Sequence, residues 1–292
     1  MTALVLAFSL LAAAPAVEIV GEAELFAPGV ASTDHSDIRL TISPDGRTAL
    51  WFSRDRPGGP GGYDIWIARR TETGWSAATP VSFNSPGRDF DPAFSRDGRF
   101  VFFCSDRPGG IGKDDLYRVT VTATGFGAPE NLGPKVNSAG SEYAPMLSPD
   151  GRHLLFSSDR PGGAGRHDLY TARSKARGFA AAAPLPGAIN TPADEFDASF
   201  LADSRTLIFA RAPSMKDDRV DLFAATSHGG RYDAGMILSL AVNDPVKDSY
   251  GPMLDWSAPN RLTFSSQRGG AQSMELYRIS YRLVTGQTRH GR

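Results

Sequence analysis

A repeat of about 53 residues is the feature that most constrains how this chain folds. Its clearest copies read SDRPGGIGKDDLY at residues 105–117 and SDRPGGAGRHDLY at residues 158–170, and a third copy reads RDRPGGPGGYDIW at residues 54–66. A turn aspartate recurs before these segments and an asparagine recurs after them. The aspartates are Asp45, Asp97, Asp150 and Asp203, and the asparagines are Asn84, Asn137, Asn190 and Asn243. With a weaker last unit, the chain contains five copies of one supersecondary unit.

Each unit divides into four short strands. In the second unit these are DPAF, RFVFF, DLYRVTVT and GAPENLG, and an SRDG turn joins the first two. RFVFF is too apolar to be half exposed, so it is expected to lie between neighbouring sheets. Four antiparallel strands per unit, repeated around an axis, form a β-propeller blade. The sequence therefore predicts an all-β fold, a five-bladed β-propeller of four-stranded antiparallel blades.

The two ends of the chain predict how the ring closes. The last unit stops after its third strand, whereas VEIVGEAELFAP at residues 17–28 reads as a fourth strand without a sheet. We therefore predict that residues 18–28 complete the C-terminal blade. The predicted repeats are residues 36–87, 88–140, 141–193, 194–247 and 248–283, in one domain over residues 17–286 with a tail at 287–292.

The first residues predict export. An apolar run over residues 3–14 leads into Ala14, Pro15 and Ala16, the A-x-A pattern of a signal-peptide cleavage site. We predict a signal peptide at residues 1–16 and a periplasmic or secreted protein, with a buried strand or a short anchor as the alternative. The run is too short to span a bilayer comfortably, so no membrane span is expected.

Composition excludes several classes of function. A net charge of −1 and a pI near 6.5 argue against a nucleic-acid partner. The single cysteine, Cys104, allows no internal disulfide and is expected to be a small buried side chain. The five histidines show no metal-ligand spacing, and the sequence has no nucleophile elbow, P-loop or dinucleotide fingerprint. We expect a monomer without an assigned catalytic residue.

The units resemble the TolB-like propeller repeat, in which S-P-D-G-x-x-L-x-F-x-S-x-R is followed by glycines and D-[IL]-[YWF]. The resemblance is clearest in SPDGRHLLFSSDRPGGAGRHDLY at residues 148–170, and it covers nearly all of the chain after residue 16. The fourth unit departs from it, because LADSRTLIFARAPSMKDDRVDLF lacks the glycine pair and the turn proline. The fifth has Gln267 and Glu275 where other units have Asp. The resemblance implies a cell-envelope propeller that presents its channel face to a protein partner.

Two recurring charged residues of the repeat are interpreted as structural. Each loop arginine precedes a late acid, and the two are expected to pair across the mouth of the hairpin. The arginines are Arg56, Arg107, Arg160 and Arg268, and the acids are Asp64, Asp115, Asp168 and Asp221. Repetition in successive blades favours a structural role, because a unique site needs no such copies.

Candidate binding residues lie where the first strands begin, since these positions ring the channel mouth. One acid column contains Asp37, Asp89, Glu142 and Glu195, with Asp248 offset by one residue, and a second column two residues later is irregular. The candidates are Arg39, Asp89, Asp91, Glu142, Glu195, Asp197 and Asp248. They form a carboxylate ring suited to Ca²⁺ or to cationic groups of a partner, or they begin strands and pair with the loop arginines. The neighbouring aromatics Phe90, Tyr143, Phe196 and Tyr250 are interpreted as inter-blade packing rather than a sugar platform.

The sequence is compatible with two functions. The favoured one is a non-catalytic propeller that binds an envelope protein or a glycan ligand, without a cofactor other than Ca²⁺ in the channel. The alternative is a five-bladed glycan hydrolase or lyase, because paired carboxylates can serve as acid and base or nucleophile.

Overall fold

The structure is a computed structural model that describes residues 17–284, so the predicted signal peptide lies outside the described residues. It contains 22 β-strands and one short 3₁₀ helix at Arg268–Gly270. The strands form five antiparallel sheets, each with four strands along its main path, around a common axis. The prediction of an all-β, five-bladed propeller is confirmed.

Each blade runs from an innermost first strand to an outermost fourth strand. The first strands are Ser36–Ile42, Asp89–Phe94, Glu142–Leu147, Asp194–Phe200 and Ser249–Leu254. The second strands are Thr48–Arg54, Phe100–Ser105, His153–Ser158, Thr206–Ala212 and Arg261–Ser266. The third strands are Tyr63–Arg69, Asp115–Thr122, Asp168–Arg173, Asp221–His228 and Glu275–Leu283.

The outermost strands are short in four blades. They are Thr79–Pro80, Glu130–Asn131, Ala183–Pro184 and Met236–Ile237, and the fifth is Val17–Leu25. Gly125–Phe126 and Arg231–Tyr232 extend the third strands of blades two and four as small hairpins. Two-residue outer strands leave little unpaired sheet edge exposed, which limits edge-to-edge association.

The N-terminal strand closes the ring, as predicted. Val17–Leu25 pairs antiparallel with Glu275–Leu283, from Val17 opposite Leu283 to Leu25 opposite Tyr277. The amide of Phe26 continues the pairing by donating to the carbonyl of Leu276 at 2.8 Å. Covalently distant ends are thus held in one sheet by backbone hydrogen bonds, without a disulfide.

Stacked aromatic and apolar side chains form the core between the blades. The second strands are buried along nearly their whole length, as expected of sheets covered on both faces. An aromatic pair across the second and third strands recurs, with ring centroids 5.6–6.0 Å apart. The pairs are Phe103–Tyr117, Phe156–Tyr170, Phe209–Phe223 and Phe264–Tyr277. Cys104 is fully buried beside this layer.

The recurring asparagines hold the crossover between blades. Asn137 accepts from the amide of Leu116 at 2.8 Å and donates to the carbonyl of the same residue at 3.1 Å. Asn84, Asn190 and Asn243 make the same two contacts with Ile65, Leu169 and Leu222. The side-chain amide therefore substitutes for a strand partner at the point where the chain enters the third strand.

Candidate functional site

The first acid of four inner strands is fully buried and paired with an arginine. The ion pairs are Asp37–Arg56 at 3.7 Å, Asp89–Arg107 at 2.5 Å, Glu142–Arg160 at 2.9 Å and Glu195–Arg211 at 2.7 Å. A hydroxyl group and a backbone amide four residues before each acid also donate to it. These carboxylates are satisfied inside the blades, so the first acid column is structural rather than an open ring.

The arginine joins several parts of a blade, as blade two illustrates. The guanidinium of Arg107 lies 5.1 Å from the ring centroids of both Phe103 and Tyr117. It also donates to the carbonyl of Phe83 at 2.9 Å and to the carboxylate of Asp89. One side chain thus connects the second, third and first strands with the crossover from the preceding blade.

The predicted pairing of the arginines with the late acids is wrong. Asp115 accepts from the amide of Gly112 at 3.0 Å, and a side chain on Gly110 would collide with its carboxylate. Asp64 and Asp168 bind the glycine loops of their blades in the same way. The loop folds back so that its own backbone amides reach the acid. Glycine is needed at this point because a larger side chain would collide with the carboxylate. In blade four, where they are lost, Asp221 pairs with Arg219 at 2.6 Å.

Blades four and five depart from this pattern, blade four at the position of the arginine and blade five at the position of the acid. Arg211, which the sequence analysis did not select, stands two positions before the usual arginine, yet it binds the acid of its blade and stacks on Phe209. Arg268 donates to the carbonyl of Ala241 at 2.7 Å, and Ser249 takes the place of the acid opposite it. The arginine–acid pair is therefore present in four blades, and in the fifth blade the arginine is present without the acid.

The second column occupies a β-bulge in every inner strand. Residues Arg39, Asp91, Ala144, Asp197 and Gly251 have φ values of 58°, 54°, 54°, 50° and 62°. Each lies where the pairing between the first and second strands shifts register. Such a left-handed conformation is uncommon for residues other than Gly, and a bulge redirects the side chain that it carries.

The bulges surround a cavity of about 370 Å³ at the mouth of the channel. Residues of all five blades line it, so it lies on the propeller axis. Asp91 and Asp197 contribute the acids of its floor. Six aromatic side chains form much of its wall, and five polar side chains also line it. The aromatic residues are Phe52, Tyr63, Phe90, Tyr143, Phe196 and Tyr250, and the polar residues are Arg54, Asp114, Ser141, His167 and Asp248. The aromatic column predicted to pack between blades therefore also forms the cavity wall.

Arg39 closes the channel beneath this cavity. Its side chain starts in blade one, is fully buried, and donates to the carbonyls of Ala144 at 3.1 Å and Ala198 at 3.5 Å in blades three and four. It therefore crosses the axis. Its Nε and Nη1 atoms are buried without a hydrogen-bond partner among residues 17–284.

The two floor carboxylates have perturbed acidity. Asp91 is 3% exposed and Asp197 is 6% exposed. Burial, followed by repulsion from Asp197, raises the pKa of Asp91 to about 7. Burial also raises the pKa of Asp197, against the attraction of Arg39. The carboxylate of Asp91 accepts one backbone hydrogen bond, from Ala144 at 2.9 Å.

Other polar groups stand along the wall and rim. Asp248, a predicted candidate, lines the cavity and accepts from the amide of Val220 at 3.0 Å. His167 is hydrogen-bonded to the hydroxyl of Tyr143 at 2.8 Å, and burial lowers its pKa. Met215, from the divergent loop of blade four, is partly exposed at the rim. Of the seven candidates, the structure thus places Asp91 and Asp197 on the cavity floor, Asp248 in its wall and Arg39 beneath it.

Within residues 17–284, no group of three or more His, Cys, Asp or Glu side chains is arranged to hold a metal ion. Over the same range, no helix has the length and apolar character to cross a membrane.

Comparisons with known proteins agree with the propeller fold. No protein-family model and no curated protein sequence matches the chain. Similar solved structures include TolB from Acinetobacter baumannii, at 14% identity and a TM-score of 0.50, and the match covers 84% of this chain and 54% of that one. The chain thus spans about half the length of that TolB.

Glycan-cleaving enzymes are also among the similar structures. An endo-arabinase from Bacteroides thetaiotaomicron is 13% identical, with a TM-score of 0.60 and coverage of 90% of this chain and 99% of that one. The α-L-arabinofuranosidase PaAbf62A from Podospora anserina, in complex with cellotriose, is 12% identical, with a TM-score of 0.51 and coverage of 88% and 92%. At these identities the likeness shows the fold, which TolB shares with enzymes.

Proposed function

We propose that this protein is a TolB-like, non-catalytic binding propeller of the bacterial cell envelope, and that its channel-mouth cavity receives a ligand or a projecting group of a partner protein. The observation that carries this proposal is the aromatic-walled cavity on the axis, to which all five blades contribute. Concave sites with apolar walls and a few converging polar groups are the usual form of a ligand pocket.

Rigidity of the surroundings supports a binding role. The arginine–acid pairs and the asparagine contacts fix the strands on which the cavity residues stand. A preorganised pocket loses little conformational entropy when it is occupied. The rim methionine and the half-buried tyrosine Tyr63 offer adaptable apolar contact to an incoming group.

The test is a pull-down from an envelope extract of the source organism, with residues 17–292 as bait. A double variant, Tyr63→Ala with Met215→Ala, removes two wall groups without altering charge. Met236→Ala is the matched control, because Met236 is an exposed methionine on the outer strand of the same blade, at 45% exposure against 36% for Met215. A protein retained by wild type and control but lost from the double variant supports the proposal. Equal retention by all three baits contradicts it.

A glycan hydrolase is the second candidate, and one observation favours it. Asp91 and Asp197 share a cavity, and the pKa of Asp91 is raised to about 7, a suitable value for a general acid at neutral pH. The test is a turnover screen on arabinan and other plant and envelope polysaccharides with the wild-type chain. Reducing sugar that appears with wild type but not with Asp91→Asn would replace the non-catalytic proposal.

A further inference from the structure

The floor of the cavity contains two acids that form no ion pair. Among residues 17–284, no Lys, Arg or His side chain forms an ion pair within 4.0 Å of Asp91 or Asp197. Both side chains are more than nine-tenths buried and line the cavity. Buried charges in proteins are normally paired, because desolvation without a partner is costly.

From this arrangement we propose that the cavity binds an organic monocation, an ammonium or guanidinium group such as a lysine or arginine side chain carries. This inference rests on the proposed binding function and names the chemistry of the occupant. The cation would lie between Asp91 and Asp197 with its apolar stem against the aromatic walls.

The local charge balance matches a single positive charge. The two floor carboxylates are attracted by Arg39 beneath them and by Arg54 in the wall. With Asp248, which also lines the cavity, three carboxylates stand against these two arginines, which leaves one negative charge when all three acids are ionised. The walls do not cancel it. The remaining acid of the walls, Asp114, is paired with Arg88 at 2.6 Å. A monocation therefore neutralises the site, whereas an anion would meet net repulsion.

The walls suit an organic cation better than a metal ion. Ca²⁺ takes six to eight oxygen ligands, and the described part of the chain gathers no cluster of three acidic or His/Cys donors there. Aromatic faces, in contrast, attract ammonium and guanidinium groups, by roughly 0.5–2 kcal/mol for each ring contact. The chain already uses this contact in every blade, where an arginine lies over an aromatic pair.

The experiment measures binding of small probes to residues 17–292 by ligand-observed NMR at pH 7, where the amine of glucosamine is still largely protonated. The cationic probes are Nα-acetyl-lysine amide, Nα-acetyl-arginine amide and glucosamine, and the neutral counterparts are Nα,Nε-diacetyl-lysine amide, Nα-acetyl-citrulline amide and N-acetylglucosamine. We expect a cationic probe to bind with millimolar affinity and at least tenfold more tightly than its neutral counterpart. Preference for the amino-acid amides indicates a protein side chain as the source, and preference for glucosamine indicates an amino sugar.

Isosteric variants connect the binding to the floor. Asp91→Asn with Asp197→Asn should reduce affinity for the cationic probe at least tenfold, because Asn retains the shape and the acceptor but not the charge. Asp218→Asn is the control, since Asp218 is an exposed acid on the blade-four loop. Equal binding of the neutral probe, unchanged affinity in the double variant, or displacement of the probe by equimolar CaCl₂ would each overturn the inference. If the pull-down still depends on Tyr63 and Met215, only the cation preference fails and the binding function stands.

Discussion

Replacing Asp91 by Asn should stabilise the protein at alkaline pH and leave it unchanged in acid. The pKa of Asp91 is about 7 in the folded chain, against an ordinary value of 3.8. A tenfold change in proton affinity corresponds to about 1.4 kcal/mol. The difference therefore amounts to about 4 kcal/mol of folding free energy, an upper value because Asp197 titrates with Asp91.

The sign of the effect follows from proton binding by the two states. Below about pH 4 both folded and unfolded chains carry the proton, so Asp91 costs nothing. Between about pH 4 and 7 the unfolded chain releases the proton while the folded chain keeps it, and the wild type loses stability as pH rises. Above pH 7 the full penalty is present. Asn never ionises, and it retains the acceptor for the amide of Ala144.

Urea unfolding followed by tryptophan fluorescence at pH 4.5, 6.5 and 8.5 measures the difference. We expect the Asn variant to match wild type within about 1 kcal/mol at pH 4.5 and to exceed it by about 2–4 kcal/mol at pH 8.5. Asp150→Asn is a control of opposite sign: burial alone would raise the pKa of this turn carboxyl, but hydrogen bonds from Ser148 and the amide of Arg152 together outweigh burial and lower that pKa. A variant no more stable than wild type at pH 8.5 would refute the reasoning that Asp91 is an uncompensated buried acid.

Three further perturbations test the repeat and the cavity. Arg107→Ala should lower the free energy of unfolding by about 3–5 kcal/mol, because it leaves the buried carboxylate of Asp89 without its partner. Arg268→Ala should lower it clearly less in the same urea assay, because Arg268 has a serine where the other blades have the acid. Asn137→Ala removes both contacts to the third strand and should cost about 2–3 kcal/mol, also by urea unfolding. Affinity for the cationic probe should increase as pH rises through about 7, because Asp91 ionises there; an NMR titration that is flat between pH 5.5 and 8.5 contradicts this.

Most of the fold was predictable because the same residues recur at a regular spacing along the sequence. The turn aspartates and the crossover asparagines recur at nearly equal spacing, so four strands per unit and five blades follow from the columns alone. The closing strand was predictable because the last unit lacked a fourth strand and residues 17–28 lacked a sheet. Register within blade one was less certain, since its second strand, Thr48–Arg54, is one residue longer than Phe100–Ser105 of blade two.

The site was only partly predictable because a bulge separates residues that alternation would place together. Asp89 and Asp91 are two positions apart, which in a regular strand puts both side chains on one face. The left-handed residue at 91 breaks this rule, so Asp89 turns into the blade toward Arg107 while Asp91 lines the cavity. The sequence also did not reveal that the loop arginines pair with the first acids and not with the late acids. Which acid lies nearer to the arginine depends on how the glycine loop folds back. Irregularity of the second column was the one signal that pointed to Asp91 and Asp197.

Ring closure by Val17–Leu25 has a consequence for the order of synthesis. Its partner strand begins 250 residues later, at Glu275. At a translation rate of about 5–20 residues per second, the first strand waits tens of seconds before its partner leaves the ribosome. A strand that waits is at risk of pairing with other chains, and charged side chains reduce that risk. Glu18, Glu22 and Glu24 supply such charges, and two of them gain partners on closure, where Arg282 and Arg261 lie at 2.9 and 2.6 Å.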